Sequence, residues 1–128
     1  MITVSVLEDR KKAEEIFLQN GAEFTENSGC MLALCGGEVI GYSLYLLDGE
    51  KIVVYKISPE NDLMLADGIL RGTLHLASRR KINSAFYTDN EKMFEKLGFI
   101  KDKTQKALDM SLLSKDCSCK KTALNAEN

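Results

Sequence analysis

Two glycine-containing dipeptides divide the middle of the chain into three runs rich in apolar residues. Gly36-Gly37 separates residues 30–35 from 39–47, and Asp48-Gly49 separates 39–47 from 51–57. Gly-Gly and Asp-Gly between such runs are among the strongest short-range signals for β-hairpins, because these tight turns place residues at positive φ. The sequence therefore predicts a meander of three antiparallel strands, which forms the centre of a sheet.

The segments on either side of the meander predict further strands and three helices. Residues 2–7 alternate between apolar and polar as in a strand, and Asp9 can cap a helix over 10–20 that stops at Gly21. Asn61 or Asp62 can cap a long amphipathic helix that ends near residue 80. The remaining predicted elements are a strand over 82–87, a short helix over 90–97, and a strand pair over 99–102 and 107–112. The predicted order is β-α-β-β-β-α-β-α-β-β, an α/β (α+β) architecture with one mixed, mostly antiparallel sheet and helices on both faces.

Length and charge limit the classes of protein to which the chain can belong. The 128 residues suit a single domain over residues 1–113, followed by a polar tail over 114–128 that we expect to be disordered. The net charge of -2 gives no reason to expect a nucleic acid or an acidic membrane as partner. No apolar run approaches a membrane span, and Met1 leads into a strand pattern instead of a signal peptide, which predicts a cytoplasmic protein.

The four cysteines do not form a metal-binding pattern. Cys30 and Cys35 have an odd separation on one predicted strand, so we expect them to point to opposite faces of the sheet. Cys117 and Cys119 form a lone C-x-C in the tail without a histidine nearby, whereas zinc needs about four converging ligands. We therefore expect no metal site, and reduced thiols fit a cytoplasmic protein.

Two glycines lie one turn apart in the long predicted helix. Gly68 and Gly72 each lower helix propensity by roughly 1 kcal/mol relative to alanine, which suggests that something approaches the helix closely there. One interpretation is tight packing of the helix on the sheet, which is the more common reason for such glycines. The other is a ligand phosphate near Gly68, because the first turn of a helix offers unpaired N–H groups to anions.

The stretch NEKMFEKLGF, residues 90–99, predicts a short helix with a complete C-terminal cap. Asp89 or Asn90 can begin the helix, and Gly98 fits the left-handed position just after its end. Phe99 then follows the glycine, and Phe94 occupies the position that usually makes an apolar contact with it. This ending explains Phe94 as a core residue without any ligand.

Three stretches resemble the GNAT (GCN5-related) N-acetyltransferase family. Residues 36–59, GGEVIGYSLYLLDGEKIVVYKISP, resemble its central meander, and 63–77, LMLADGILRGTLHLA, resemble its phosphate-loop helix. The stretch NEKMFEKLGF is similar to the frequent N…YEKLGF ending of the acetyl-CoA half. The resemblance covers about residues 2–112 and identifies the chain as a short, divergent relative with a GNAT-like fold.

The resemblance implies acetyl-CoA as co-substrate, lying between the splayed ends of the strands over 51–57 and 82–87. It places the pantetheine against Tyr55, Lys56 and Ile57. It places the pyrophosphate at Ala66, Asp67 and Gly68, and it adds Ile69 and Asn90 to the cofactor-binding residues. The family pattern Gln/Arg-x-x-Gly-x-Gly/Ala is altered here to LMLADG over residues 63–68, which brings the carboxylate of Asp67 among the phosphate contacts.

The same resemblance implies direct attack of an amine on the thioester, with a base and an acid to move protons. The family's usual tyrosine acid is replaced by Phe94, which leaves Tyr87 and Tyr55 as candidate acids. The base would be Glu60, Glu38 or a water relay. The front of the domain has one clear helix and the loop GAEFTENSG, where the family usually has two helices. The expected partners are acetyl-CoA and an unidentified small-molecule or peptide amine, and a homodimer stays open. The alternative is a catalytically degenerate GNAT-fold protein that binds CoA or another protein without turnover.

Overall fold

One seven-stranded sheet runs through residues 1–113, the part of the chain that the computed structural model describes. Its strands are β1 (Ile2–Val6), β2 (Ser28–Cys35), β3 (Glu38–Asp48), β4 (Lys51–Ser58), β5 (Ser84–Tyr87), β6 (Ile100–Asp102) and β7 (Ala107–Leu108). The helices are α1 (Arg10–Gln19), α2 (Leu63–Arg79) and α3 (Glu91–Leu97). This order confirms the predicted sequence of elements.

The strands lie side by side in the order β1-β2-β3-β4-β5-β7-β6. Every neighbouring pair is antiparallel except β4 and β5, which are parallel. A parallel pair needs a crossover connection, and α2 provides it. The predicted mixed, mostly antiparallel sheet is confirmed, and its single parallel pair lies beside the meander.

The helices cover both faces of the sheet, as predicted. Alternation along β2 shows the division: Cys30 belongs to the cluster that packs on α1, and Met31 belongs to the cluster that packs on α2 and α3. The α1 cluster is small and centres on the fully buried Ala13, Phe17 and Leu44. The larger core therefore lies beneath α2 and α3, and α1 leaves part of the opposite face open.

Local capping chemistry explains where the helices begin and end. The Asp9 carboxylate accepts hydrogen bonds from the first turn of α1, and the Asp62 carboxylate accepts one from Leu65 N–H at 3.1 Å. Asp62, of the two predicted candidates, is thus the cap of α2. Gly98 ends α3 with φ 78°, and Phe99 N–H donates to Phe94 O at 3.1 Å. The predicted C-terminal cap is confirmed.

The end of α2 corrects the predicted strand over 82–87, because β5 begins only at Ser84. Ile82 N–H donates to Ala77 O at 2.9 Å, so Ile82 belongs to the helix ending. Lys81 takes the left-handed position there, with φ 64°. A lysine at a position that usually carries glycine left no signal in the sequence.

Three other predicted boundaries shift. The last strand ends at Leu108 instead of residue 112, because the Asp109 carboxylate accepts from Ser111 N–H and hydroxyl and forms a turn. The strand predicted over 30–35 begins at Ser28, which pairs with Leu46. The strand predicted from 99 begins at Ile100, since Phe99 N–H completes the α3 cap. The predicted tail from residue 114, with Cys117 and Cys119, lies outside the described residues.

The two α2 glycines have different surroundings. A Cβ on Gly72 would lie 2.8 Å from Val4 Cγ1, so Gly72 lets α2 pack closely on β1. A Cβ on Gly68 would meet nothing within 4 Å. Packing therefore accounts for Gly72, and no contact with another part of residues 1–113 requires a glycine at position 68.

Gly68→Ala is expected to stabilise the protein by up to about 1 kcal/mol, because alanine has the higher helix propensity and the space is open. Gly72→Ala is the matched control one turn away, where the methyl group collides with Val4 and removes that gain. Urea unfolding of both variants measures the difference. Equal effects of the two substitutions would contradict the described packing of α2.

Candidate functional site

The parallel strands β4 and β5 separate halfway along β4. Their pairing runs from Lys51 with Ser84 to Val54 with Tyr87, where β5 ends, but β4 continues to Ser58. Thr88 makes the last contacts across the pair, its N–H donating to Val54 O at 3.1 Å and its hydroxyl to Tyr55 O at 3.2 Å. Beyond Thr88 no backbone group in residues 1–113 pairs with this edge of β4, which faces a gap that only the Asn90 side chain enters.

A bulge in β4 lies where this gap begins. Tyr45 pairs with Val54 and Leu44 with Lys56, which leaves Tyr55 as the extra residue. Bulges re-aim side chains and often lie beside functional sites. Here the Tyr55 ring turns towards α1 and meets Phe17 edge to face, with ring centroids 6.2 Å apart.

Asn90 closes the inner end of the gap. Its Oδ1 accepts a hydrogen bond from the buried Ile57 N–H at 2.8 Å, in the place where a continuing β5 would have paired. Asn90 is only 4 % exposed and adopts a left-handed φ of 64°, which asparagine tolerates well. Because Ile57 N–H can only donate, the amide orientation is fixed, and Nδ2 finds no acceptor among residues 1–113.

A groove of about 530 Å³ opens on the α1 side of the gap. Its lining residues are Asn20, Gly21, Ala22, Glu23, Leu44, Tyr55, Lys56, Thr88 and Asp89. Burial raises the pKa of Tyr55, and the negative charges of Glu23 and Asp48 raise it further. The groove thus joins a phenol that stays protonated at neutral pH to two carboxylates, Glu23 and Asp89.

The N-terminus of α2 presents fewer free N–H groups than its sequence suggested. Leu65 N–H and Ala66 N–H both donate to Asp62, at 3.1 and 2.9 Å. Within the described part of the chain, the N–H groups of Leu63 and Met64 find no acceptor. An anion at this end of α2 would therefore bind the N–H groups of Leu63 and Met64. The N–H groups of Ala66, Asp67 and Gly68 are already used within the helix and its cap.

The Asp67 carboxylate is engaged by Arg71. Its Oδ2 lies 2.8 Å from Arg71 Nε, one helical turn further along α2. The pair is partly exposed, so its contribution to stability is small. The ion pair directs the Asp67 carboxylate along the helix and offsets its charge. Ile69, which was also predicted to contact the cofactor, is fully buried in the core.

Among the three candidate catalytic residues, Tyr55 alone lines the groove. Tyr87 is 2 % exposed and packs on Phe94, and its hydroxyl donates to Glu91 Oε1 at 2.7 Å. The pKa of Tyr87 is raised to about 12, mainly by burial and also by this hydrogen bond to Glu91. Glu60 is exposed in the turn before α2 and is not part of the groove lining.

Sequence reasoning missed Glu23, Thr88 and Asp89 as groove residues. Thr88 and Asp89 follow directly after a strand that pairs in parallel, and ligands often bind at the carboxyl ends of such strands. Their position in the sequence therefore indicated them as candidates. Glu23 lies in a loop that the packing of α1 brings to the sheet. No local pattern in the sequence indicates that position.

Two classes of feature are absent from residues 1–113. No group of three or more histidine, cysteine, aspartate or glutamate side chains in this range could hold a metal ion. Of the helices in the same range, none is long and apolar enough to cross a membrane.

Comparison with known proteins identifies the fold. No family model matches this sequence, and no curated protein sequence matches it either. Among solved structures, a protein from Desulfovibrio desulfuricans described as a GNAT-family acetyltransferase matches with a TM-score of 0.56 at 12% identity, over 80% of this chain and 87% of that one. The chain has the GNAT fold.

Two further structures with the GNAT fold are similar to this chain. The ribosomal-protein-S18-alanine N-acetyltransferase of Escherichia coli has a TM-score of 0.58 at 17% identity, covering 80% of this chain and 79% of its own. A protein of Clostridium acetobutylicum described as an acetyltransferase and solved with acetyl-CoA has a TM-score of 0.56 at 14% identity, covering 80% and 92%. At these identities the similarity establishes the fold, and the function rests on the chain's own residues.

Proposed function

We propose that this chain is an acetyl-CoA-dependent N-acetyltransferase that acts in the cytoplasm on the amine of a small molecule or peptide. The observation that carries the proposal is the gap between β4 and β5, closed at its inner end by the half-satisfied Asn90 amide. A groove with a phenol and two carboxylates adjoins this gap. Acyl transfer needs both parts, a place for the thioester and a place for the amine.

The residues at the gap fit an amide-bearing chain such as pantetheine. A buried amide donor without an acceptor costs about 1–3 kcal/mol, and Asn90 Nδ2 is such a donor. A carbonyl oxygen of the cofactor would supply the missing acceptor. Tyr55, Lys56 and Ile57 are the β4 residues that flank the gap and would lie along the same chain.

The N-terminus of α2 fits the pyrophosphate of the cofactor. Leu63 and Met64 N–H find no acceptor within residues 1–113, and the positive end of the helix dipole favours negative charge by up to about 2 kcal/mol. Asp67 would oppose an anion if it faced this end, but its pairing with Arg71 offsets the charge. The predicted residues Ala66, Asp67, Gly68 and Ile69 would then support the site from the following turn.

The chemistry follows from the groove residues. When bound, acetyl-CoA supplies an activated acetyl group on sulfur. Glu23 and Asp89 attract a protonated amine into the groove, and one of these carboxylates takes its proton, directly or through water. As the new C–N bond forms and the C–S bond breaks, the nitrogen would release its second proton to the other carboxylate. The Tyr55 hydroxyl would donate its own proton to the leaving thiolate and recover one from solvent. Its raised pKa keeps that proton in place at neutral pH.

A second candidate function is binding of CoA without turnover. Phe94, at the position of the family's usual acid, is fully buried, and Tyr87 has its proton engaged by Glu91. These two observations favour a degenerate member of the fold, because neither residue can protonate a leaving group in the groove. The two functions share the cofactor site and differ only in whether Tyr55 works as an acid.

A thermal shift with acetyl-CoA and CoA, followed by a transfer assay, tests both candidates. Ligand at about 100 times its Kd should stabilise the fold by roughly 2.7 kcal/mol. The acetyltransferase proposal expects this shift together with acetylation of at least one member of a panel of small amines and N-terminal peptides. A shift without transfer supports the binding protein, and no shift at millimolar ligand contradicts both.

A further inference from the structure

A second cavity lies at the opposite end of β4 from the gap. It has a volume of about 380 Å³ and opens where β1 ends and where β2 and β4 begin. The polar residues that matter for its chemistry are Arg10, Asn27, Ser28, Tyr45 and Arg80. We call this cavity the arginine pocket. The cofactor and the acceptor proposed above do not use it.

Tyr45 reaches the arginine pocket across a glycine. It pairs with Gly29 on β2, and a Cβ on Gly29 would lie 2.5 Å from the Tyr45 hydroxyl oxygen. Only glycine at this position lets the ring lie across the strand. Tyr45 is 3 % exposed, and it lines the wall of the cavity.

Neither arginine of the pocket forms a salt bridge with a carboxylate in residues 1–113. Arg10 donates to the carbonyl oxygens of Ser28 at 2.8 Å and Thr25 at 3.1 Å, and its guanidinium lies 4.6 Å from the centre of the Phe24 ring. These contacts hold the guanidinium in place without an ion pair. Arg80 is exposed just after α2 and forms no salt bridge with a described residue.

The electrostatics of the pocket favour an anion. Burial and the neighbouring Cys30 raise the pKa of Tyr45, whereas Arg80 and Arg10 lower it, so both positive charges act at its hydroxyl. Glu26 is the one carboxylate in the lining, which leaves one net positive charge.

We propose that the arginine pocket binds a small molecule through a phosphate or carboxylate group. The planar fork of a guanidinium matches the oxygens of both groups and binds them in pairs. Arg10 and Arg80 would hold the anion, and the Tyr45 hydroxyl would donate to it from the floor. The site is separate from the proposed cofactor site, so it stands even if the acetyltransferase proposal fails.

An NMR titration of the full chain with inorganic phosphate, and separately with acetate, tests the pocket. Chloride keeps the ionic strength constant, because weak anion binding depends on salt. We expect saturable shifts of the Ser28, Gly29 and Gly49 amides with at least one of the two anions. Arg80→Gln should weaken that binding at least tenfold, and Tyr45→Phe should weaken it while leaving the ring in place.

Arg79→Gln is the matched control, since Arg79 is the exposed neighbour of Arg80 but does not line the pocket. It should leave the affinity unchanged. Equal weakening by Arg79→Gln and Arg80→Gln would show non-specific attraction and overturn the proposal. Shifts confined to Leu63 and Met64, or no saturable shift with either anion, would also overturn it.

Discussion

Asn90→Ala is expected to lower the free energy of unfolding by about 2–5 kcal/mol, since two penalties add. Removal of Oδ1 leaves the buried Ile57 N–H without an acceptor, at about 1–3 kcal/mol. Alanine must also adopt the left-handed φ of 64°, which costs roughly 1–2 kcal/mol for a residue with a Cβ. Urea unfolding of the variant and the parent chain measures the loss.

Two further substitutions at position 90 separate the causes. Asn90→Gly relieves the backbone strain and keeps the orphaned Ile57 N–H, so it should destabilise the protein less than alanine does. Asn90→Asp keeps an oxygen for Ile57 N–H but replaces the Nδ2 donor, so the folded variant should bind CoA more weakly. An alanine variant as stable as the parent chain would show that Asn90 does not close the β4–β5 gap.

Tyr55→Phe should lower kcat by about 10²- to 10⁴-fold, the range expected for loss of a general acid. The ring still packs on Phe17, so stability should change by less than about 0.5 kcal/mol. Steady-state kinetics at saturating acetyl-CoA, with an acceptor found in the panel, measure the effect. KM for acetyl-CoA should stay unchanged, because the hydroxyl acts on the leaving group.

Tyr87→Phe is the matched control for Tyr55→Phe. It removes a hydroxyl whose hydrogen bond to the Glu91 carboxylate is worth about 1.5–3 kcal/mol, so it should lower stability and leave kcat close to that of the parent chain. A larger rate loss for Tyr87→Phe than for Tyr55→Phe would contradict the assignment of Tyr55. The acid would then have to act from the α3 side of the sheet.

The elements that the sequence predicted well are those with local causes. The first hairpin turns at Gly36-Gly37, as predicted, because tight hairpin turns need residues that accept positive φ. The second turns at Gly49-Glu50, one residue later than predicted, since Asp48 still pairs with Lys51. Asp9, Asp62 and Gly98 mark helix ends through hydrogen bonds to residues only a few positions away. Such features leave a signature within a short stretch of sequence.

The parts that escaped prediction depend on contacts between distant segments or on unusual residues. Lys81 ends α2 in a left-handed conformation, so the start of β5 was placed too early. The bond from Ile57 N–H to Asn90 joins residues 33 positions apart, and the sequence offered Asn90 only as a helix cap or a cofactor contact. Phe94 is a core residue, as predicted, and it lies in the same core as Phe99. Its ring also packs on Tyr87, a contact that the sequence did not indicate.

Binding of acetyl-CoA in the β4–β5 gap is the central claim, and an NMR titration of the parent chain with acetyl-CoA tests it most directly. The account predicts saturable shifts of the Tyr55, Lys56 and Ile57 amides and of the Asn90 side-chain NH₂ group, with further shifts at Leu63 and Met64. Asn90→Asp should weaken the same titration. Saturable shifts that spare β4 and Asn90, or no shifts at millimolar acetyl-CoA, would contradict the account.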